Sequence, residues 1–238
     1  DAGPSFGSRF DSGVQTITPF LRHQGINQLD TLIISHGDND HAGGAESISR
    51  RFYPTKVFIP RPGHASCNPG EIWYKDKVRF EVFTLKGSDL SDNNLSCLLL
   101  VTGSGFGVLL TGDVEEVAEQ ALREILLPDL DLISVPHHGS RTSSSPGFIN
   151  QVQANVAVVS AGHQNRFGHP DAAVLRRYAI RQVRVLNTAA EGGITLVLGD
   201  QGIKRIDSAR LTMKRFWHRQ RLKNDERRMS KNGSYFNK

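Results

Sequence analysis

The sequence predicts a mixed α/β architecture with ionisable residues crowded along one sheet edge, and three observations carry that prediction. Apolar runs of strand length alternate with stretches of helical period, so neither an all-α nor an all-β core fits. Two of those runs, 96–102 and 106–110, are separated by Gly-Ser-Gly and read as an antiparallel hairpin, which rules out a uniform parallel series. The third observation is positional. His and Asp gather directly after successive strands, as HGDNDH after 31–35, GD after 106–110, HHGS after 132–135 and GHQNRFGH after 156–160.

The elements follow in order. Residues 14–24 carry helical signals closed by Gly25, and 31–35 form a short buried strand that runs into His36. Helix is expected over 43–52 and strand over 56–59. After a Pro- and Gly-rich loop, alternation over 78–83 predicts a half-exposed strand. The hairpin comes next, then a helix over 114–126, a strand at 132–135, a short helix near 148–152, a strand at 156–160 and a helix over 171–178. Strands at 183–187, 195–198 and 203–206 complete a domain spanning 1–208, and 209–238 form a basic tail.

A chain of 238 residues is long enough to bury a sizeable core. Its longest apolar runs, such as LLLV at 98–101, are strand-sized and far short of the ~20 residues a membrane span needs. The opening shows no signal-peptide pattern. Charge is uneven: from 210 onward ten Lys or Arg face two acidic residues, a net +8 that leaves −3 for everything before it. Such a run binds nucleic acid or anionic lipid, or is simply a solvated terminus. Neither of the two cysteines, Cys67 and Cys97, lies in a CxxC, which excludes a zinc knuckle and a thioredoxin-like site. Cys97 sits in an apolar strand and reads as core; whether it bridges to Cys67 is open at this point.

Loops at one edge of a sheet converge in space, and ligands bind there. His36, Asp38, Asp40 and His41 fall within six residues directly after a strand, close enough to aim imidazole and carboxylate at one or two cations. The bland alternative, a polar turn with a capping Asp, explains one carboxylate but not four ligand types at this density. The pair Gly43 and Gly44 then lets the backbone pass close to a bound group and opens the next helix.

HGDNDHAGG resembles the HxHxDH signature of the metallo-β-lactamase superfamily, with Asp38 in place of the second His. Asp1 in DAGP is similar to that family's first-motif Asp, TGD at 111–113 to its bridging-carboxylate motif, and HHGS at 137–140 to its late His motif. Taken in this order the motifs most resemble the C-terminal domain of the ComEC competence DNA-uptake family. The resemblance implies a four-layer αβ/βα sandwich, with its first strands upstream of Asp1, and two divalent ions at one edge. The implied ligands are His36, Asp38, Asp40, His41, Asp113 as the bridge, and His137 as the ligand of the His pair. Asp40 is also implied to orient the attacking water or take its proton. His169, with Asn165, matches a substrate-side motif that contacts phosphate, and His138 and Ser140 are further candidates for phosphate binding; each of these could instead be an ordinary loop residue.

Two departures shape the metal expectation. Asp38 replaces a His, and the stretch SDNNLS at 91–96 lacks the His usual there, so the first site would rest on His36, Asp38, Asp113 and Asn94 or water. Oxygen-rich donors favour Mn²⁺, with Mg²⁺ or Zn²⁺ as the alternatives. By resemblance the activity is that of a DNA nuclease domain in a membrane-embedded uptake channel, acting on one strand of incoming DNA at the outer face of the inner membrane. Its partners would be DNA, the rest of the channel and other competence proteins, with no small organic cofactor. The rival readings are a non-catalytic DNA-contacting or scaffolding module, or another hydrolase of the superfamily.

If the tail holds DNA, removing 210–238 should weaken binding and flatten its salt dependence, since each neutralised phosphate contributes a slope of ~0.7–0.9 on a log–log plot. DNA affinity across a salt series, compared between the full and shortened chains, checks this. An unchanged affinity and slope would assign the tail another role.

Overall fold

Strand and helix boundaries fall close to where apolar pattern and turn chemistry put them. The computed structural model describes residues 1–7, 10–59, 67, 71–84, 91–122, 125 and 129–212. The basic tail beyond 212 lies outside the described residues, as do 123–124 and 126–128 at the end of the helix expected over 114–126.

A π-helical turn at Gly13–Ile17 leads into α1 (Thr18–His23), followed by β1 (Thr31–Ile33), α2 (Asn39–Ala42), α3 (Ala45–Phe52) and β2 (Lys56–Phe58). Next come β3 (Glu71–Lys75), β4 (Val78–Phe83), β5 (Leu98–Gly103), β6 (Phe106–Leu110), α4 (Glu116–Leu122) and β7 (Leu132–Ser134). The chain continues through α5 (Pro146–Val152), β8 (Val156–Val159), α6 (Ala172–Ile180), β9 (Arg184–Asn187), α7 (Thr188–Glu191), β10 (Ile194–Gly199), β11 (Gly202–Ser208) and α8 (Ala209–Thr212). Three of these differ from the sequence expectation. β3 falls where a loop was expected, because its mostly outward-facing Glu-Ile-Trp-Tyr-Lys gives little apolar signal at the sheet edge. α2 lies inside the ligand turn, and α7 is a single turn capped by the Asn187 side chain.

Seven strands form one mixed sheet in the order β3-β4-β5-β6-β7-β8-β9. β3 to β6 pair antiparallel and β6 to β9 parallel. The parallel half needs crossover helices, and α4, α5 and α6 supply them. Their apolar faces (Ala118, Leu122, Phe148, Val152, Val174 and Tyr178 among them) pack on Leu98, Leu109, Ile133 and Ala157 from one face of the sheet. On the other face, Val108, Leu132, Val156 and Leu186 meet the antiparallel pair β10–β11.

β1 and β2 form a separate parallel pair whose alternation explains the remaining layers. Ile33 points toward the large sheet with Phe58, Val82 and Leu99, while Leu32 and Ile34 point the other way into Ala45, Ile48 and Phe52 of α3. Along this half the order is helices, small sheet, large sheet, helices: the αβ/βα sandwich. Among the described residues no helix is long and apolar enough to cross a membrane.

Cys67 and Cys97 form a disulfide between Cα atoms 5.8 Å apart, packed with Phe58 and Val82. It closes a loop of 30 residues, which in the chain-entropy account stabilises the fold by about 3–4 kcal/mol. Reductant should therefore lower the melting temperature of the native chain but leave that of Cys67→Ser/Cys97→Ser unchanged. Equal sensitivity of both proteins to reductant would contradict the bridge.

Candidate metal centre

The strand-end loops meet because β1 and β6 through β8 all deliver their carboxyl ends to the same edge. Two contacts stitch the edge together: the Cys97 amide donates to the Ser35 carbonyl at 2.6 Å, and the Asp113 amide donates to Ser96 Oγ at 3.1 Å. Gly112 has φ +57 and lies where a Cβ would meet the Cβ atoms of Ser35 and Ser96 at 2.8 Å, so no side chain fits there. The role of Gly43 and Gly44 differs from the sequence expectation. Their missing Cβ atoms make room for protein backbone at 2–5 and at Gly13 rather than for a bound group.

Asp113 is the hub. It is 4% exposed, and its carboxylate lies 3.3 Å from His41 Nε2, 3.5 Å from His138 Nε2, 3.8 Å from His137 Nε2 and 3.9 Å from His36 Nε2. Burial alone would raise its pKa, but a hydrogen bond from His41 and the nearby charge of His138, His41 and His36 pull it below the ordinary carboxylate value. Burial and repulsion from His41 push His36 the other way, below the ordinary imidazole value.

Each central imidazole is held by its Nδ1 and offers its Nε2. His138 Nδ1 donates to the Ser160 carbonyl at 2.8 Å, which fixes the tautomer and leaves Nε2 as the lone pair. His41 Nδ1 lies 3.0 Å from Asp1 Oδ2, and Asp1 is itself anchored by the Ser35 amide at 2.6 Å. Ser35 Oγ stands between His36 Nδ1 at 3.2 Å and His41 Nδ1 at 3.1 Å.

These donors fit a metal. His36 Nε2 is buried without a hydrogen-bond partner among the described residues, and a fixed donor of this kind is expensive to leave unmet. His41 and His138 face each other through Nε2 at 3.1 Å, an arrangement that a shared cation or proton makes favourable. Two triads gather their donor atoms within 4.8 Å, His36–His41–Asp113 and Asp40–His41–His138.

The expected residues divide as follows. Asp40, half-exposed, reaches His138 at 3.3 Å and His41 at 3.8 Å, and Asp38 reaches His36 at 3.5 Å. The sequence pattern puts His137 among the ligands and His138 on the substrate side; the structure brings His138 Nε2 to 3.3 Å from Asp40 and 3.5 Å from Asp113. His137 meets Asp113 at the longer 3.8 Å and turns Nδ1 to Glu115 at 3.3 Å. Local backbone explains this: His137 (φ 49), His138 (φ 53) and Gly139 (φ 83) are all left-handed, a strained turn that sends the adjacent rings apart.

Other side chains are spent on hydrogen bonds within or between the loops. Asn94 accepts from the Glu115 amide at 2.8 Å, and Ser140 Oγ, buried, lies 3.1 Å from Thr142 Oγ1. Asn165 donates to the His169 carbonyl at 2.6 Å and accepts from the His169 amide at 3.0 Å, which braces the loop that carries His169. The His169 ring stands 6.1 Å from that of His137, with its pKa lowered by burial and then by His137.

The strained His turn needs support that sequence did not reveal. Fully buried Glu119 on α4 accepts from the Ser144 and Ser145 amides, and Arg177 donates to the carbonyls of Ser143 at 2.8 Å and Ser144 at 3.1 Å. Ser35, Ser96 and Glu119 went unseen because single polar residues in apolar elements carry no motif.

The family description "Metallo-beta-lactamase superfamily" matches residues 7–95. The chain carries a metallo-β-lactamase domain, as its αβ/βα sandwich also indicates. It is related to competence proteins of the ComEC family. It is 33% identical over 208 residues to ComE operon protein 3 of Bacillus subtilis, covering 78% of this chain and 26% of that protein. To Competence protein ComA of Neisseria gonorrhoeae it is 33% identical over 213 residues, covering 82% of this chain and 30% of that one. The chain thus spans about a quarter to a third of the curated relatives it matches. Among solved structures, the metallo-β-lactamase fold protein YhfI from Bacillus subtilis is 10% identical with a TM-score of 0.43, covering 72% of this chain and 79% of that chain.

Loss of the Glu119 acceptors strands two buried amides at a cost of ~1–3 kcal/mol each, so Glu119→Ala should lower the melting temperature. The pH dependence has a definite sign. Burial lifts the Glu119 carboxyl above its ordinary value, so the folded chain holds that proton more tightly than the unfolded one. Its contribution is then full below the ordinary glutamate range and is lost as pH rises through the lifted value. Glu119→Gln should flatten that limb of the stability–pH profile. A profile parallel to the parent's would contradict the assignment.

Proposed function

We propose that this domain is a metal-dependent phosphodiesterase that cleaves DNA as part of a ComEC-like uptake channel. The observation that carries the reading is the convergence of imidazole Nε2 atoms on the buried Asp113 carboxylate, beside the exposed side chain of Asp40.

His36 and Asp38 would hold one divalent ion and Asp40, His41 and His138 another, with Asp113 shared between them and His137 at the margin. Such ions supply positive charge against a phosphodiester anion and lower the pKa of water at the site. Asp40, its side chain 52% exposed, orients the attacking water and takes its proton. His169 is kept neutral by burial and by His137, and donates a hydrogen bond to a phosphate oxygen. The carboxylates of Asp38, Asp40 and Asp113 suit Mn²⁺ or Mg²⁺, and the imidazoles keep Zn²⁺ as the rival. The Cys67–Cys97 bridge supports placing the domain on the extracytoplasmic face of the inner membrane, where disulfides persist.

Metal-supplemented assays on single- and double-stranded DNA test the reading. Mn²⁺ should activate the chain and chelator should silence it. Asp113→Ala should abolish turnover, and Asp40→Ala should lower it by ~10²–10⁴-fold, the usual worth of a positioned base. Full activity in chelator or in Asp40→Ala would sink the proposal. Maximal activity with Zn²⁺ and none with Mn²⁺ would sink the metal assignment alone.

A further inference from the structure

Phe167 is an aromatic residue that the core does not use. It is 64% exposed on the 162–169 loop, yet both its neighbours are set against it. The His169 ring lies nearly parallel, 15° off, with centroids 5.8 Å apart, and the Arg166 guanidinium carbon sits 4.7 Å from the Phe167 centroid. His169 in turn stands 6.1 Å from His137, which reaches Asp113. A line of rings therefore runs from the metal centre outward and ends in an exposed, cation-flanked aromatic.

The loop is built to present that line. Asn165 ties both the amide and the carbonyl of His169, and the Gly168 amide donates to the Asn165 carbonyl at 3.1 Å. At the loop's foot, the Asp171 carboxylate accepts from Arg141 at 2.9 and 3.1 Å and from the Ala173 amide at 2.7 Å. An exposed Phe on a floppy loop would gain little from a passing ligand. On a braced loop it meets one at low entropic cost.

We propose that Phe167, with Arg166, is a stacking subsite for an unpaired nucleobase next to the phosphate held at the metal centre. The inference rests on the phosphodiesterase reading and deepens it. Every base has a π-face, so the platform recognises base without sequence, and Arg166 adds a cation to the same surface. A base paired within a duplex has both faces stacked and its edge engaged, and cannot occupy the platform without leaving the helix.

The test uses the whole chain in chelator, which removes cleavage from the measurement. A single-stranded oligonucleotide carrying 2-aminopurine reports stacking by fluorescence quenching, and an abasic oligonucleotide of equal length reports backbone binding alone. Phe167→Ala should weaken binding of the base-bearing strand about 5- to 150-fold, the range for one stacked base, and abolish the quenching. Phe167→Trp should restore both, whereas Phe167→Leu should not. Binding of the abasic strand should stay the same in all four proteins. Unchanged affinity and quenching in Phe167→Ala, or an equal loss on the abasic strand, would overturn the subsite while leaving the phosphodiesterase reading intact. If the parent chain binds neither strand in chelator and cleaves no DNA with Mn²⁺, both fall together.

Discussion

Asp113 faces four imidazoles from a position where water scarcely reaches it, and the arrangement at the sheet edge depends on that contact. A buried carboxylate costs several kcal/mol unless partners compensate. Here the compensation comes from His41, His138 and His36, which hold the carboxyl ionised against the effect of its own burial. His36 is under the opposite pressure, since burial and repulsion from His41 push it below the ordinary imidazole value. An ionised carboxylate among imidazoles that turn Nε2 toward it is a donor set suited to a divalent cation.

The fold answers to this demand at several removes. The parallel half of the large sheet places the loops after β6, β7 and β8 side by side, and β1 from the small sheet brings His36 and His41 to the same edge. Asp1, Ser35 and the Ser160 carbonyl then fix the Nδ1 atoms, so ring orientation is settled before any ligand arrives. The left-handed turn at His137 and His138 is strained, and Glu119 and Arg177 brace the segment after it from the helical layer behind. Hydrophobic packing of α4 and α6 is thereby coupled to the geometry of a polar site several ångström away.

Much of this could be read from sequence, for a physical reason. Strand β4 alternates clearly and β6 is an apolar run, and ionisable residues that follow strands in short motifs, such as His36, Asp40, His41 and Asp113, stand out by density. What escaped reading depends on tertiary context. β3 is too exposed to alternate clearly, and the choice between His137 and His138 turns on backbone angles that no spacing encodes. Asn165 stands out by resemblance to a substrate-side motif and Ser140 as a phosphate-binding candidate, while the hydrogen bonds that close each on its own loop could not be read from spacing. Glu119 had no signal at all, because a lone acid in an amphipathic helix is normally a solvated one.

The central claim is that the imidazoles around Asp113 form a binuclear cation site. Anomalous diffraction from crystals grown with Mn²⁺ tests it most directly. The account predicts two peaks, one beside His36, Asp38 and Asp113 and one beside Asp40, His41, His138 and Asp113, both lost in Asp113→Ala. Manganese peaks elsewhere, or the same two peaks persisting without the Asp113 carboxylate, would contradict it.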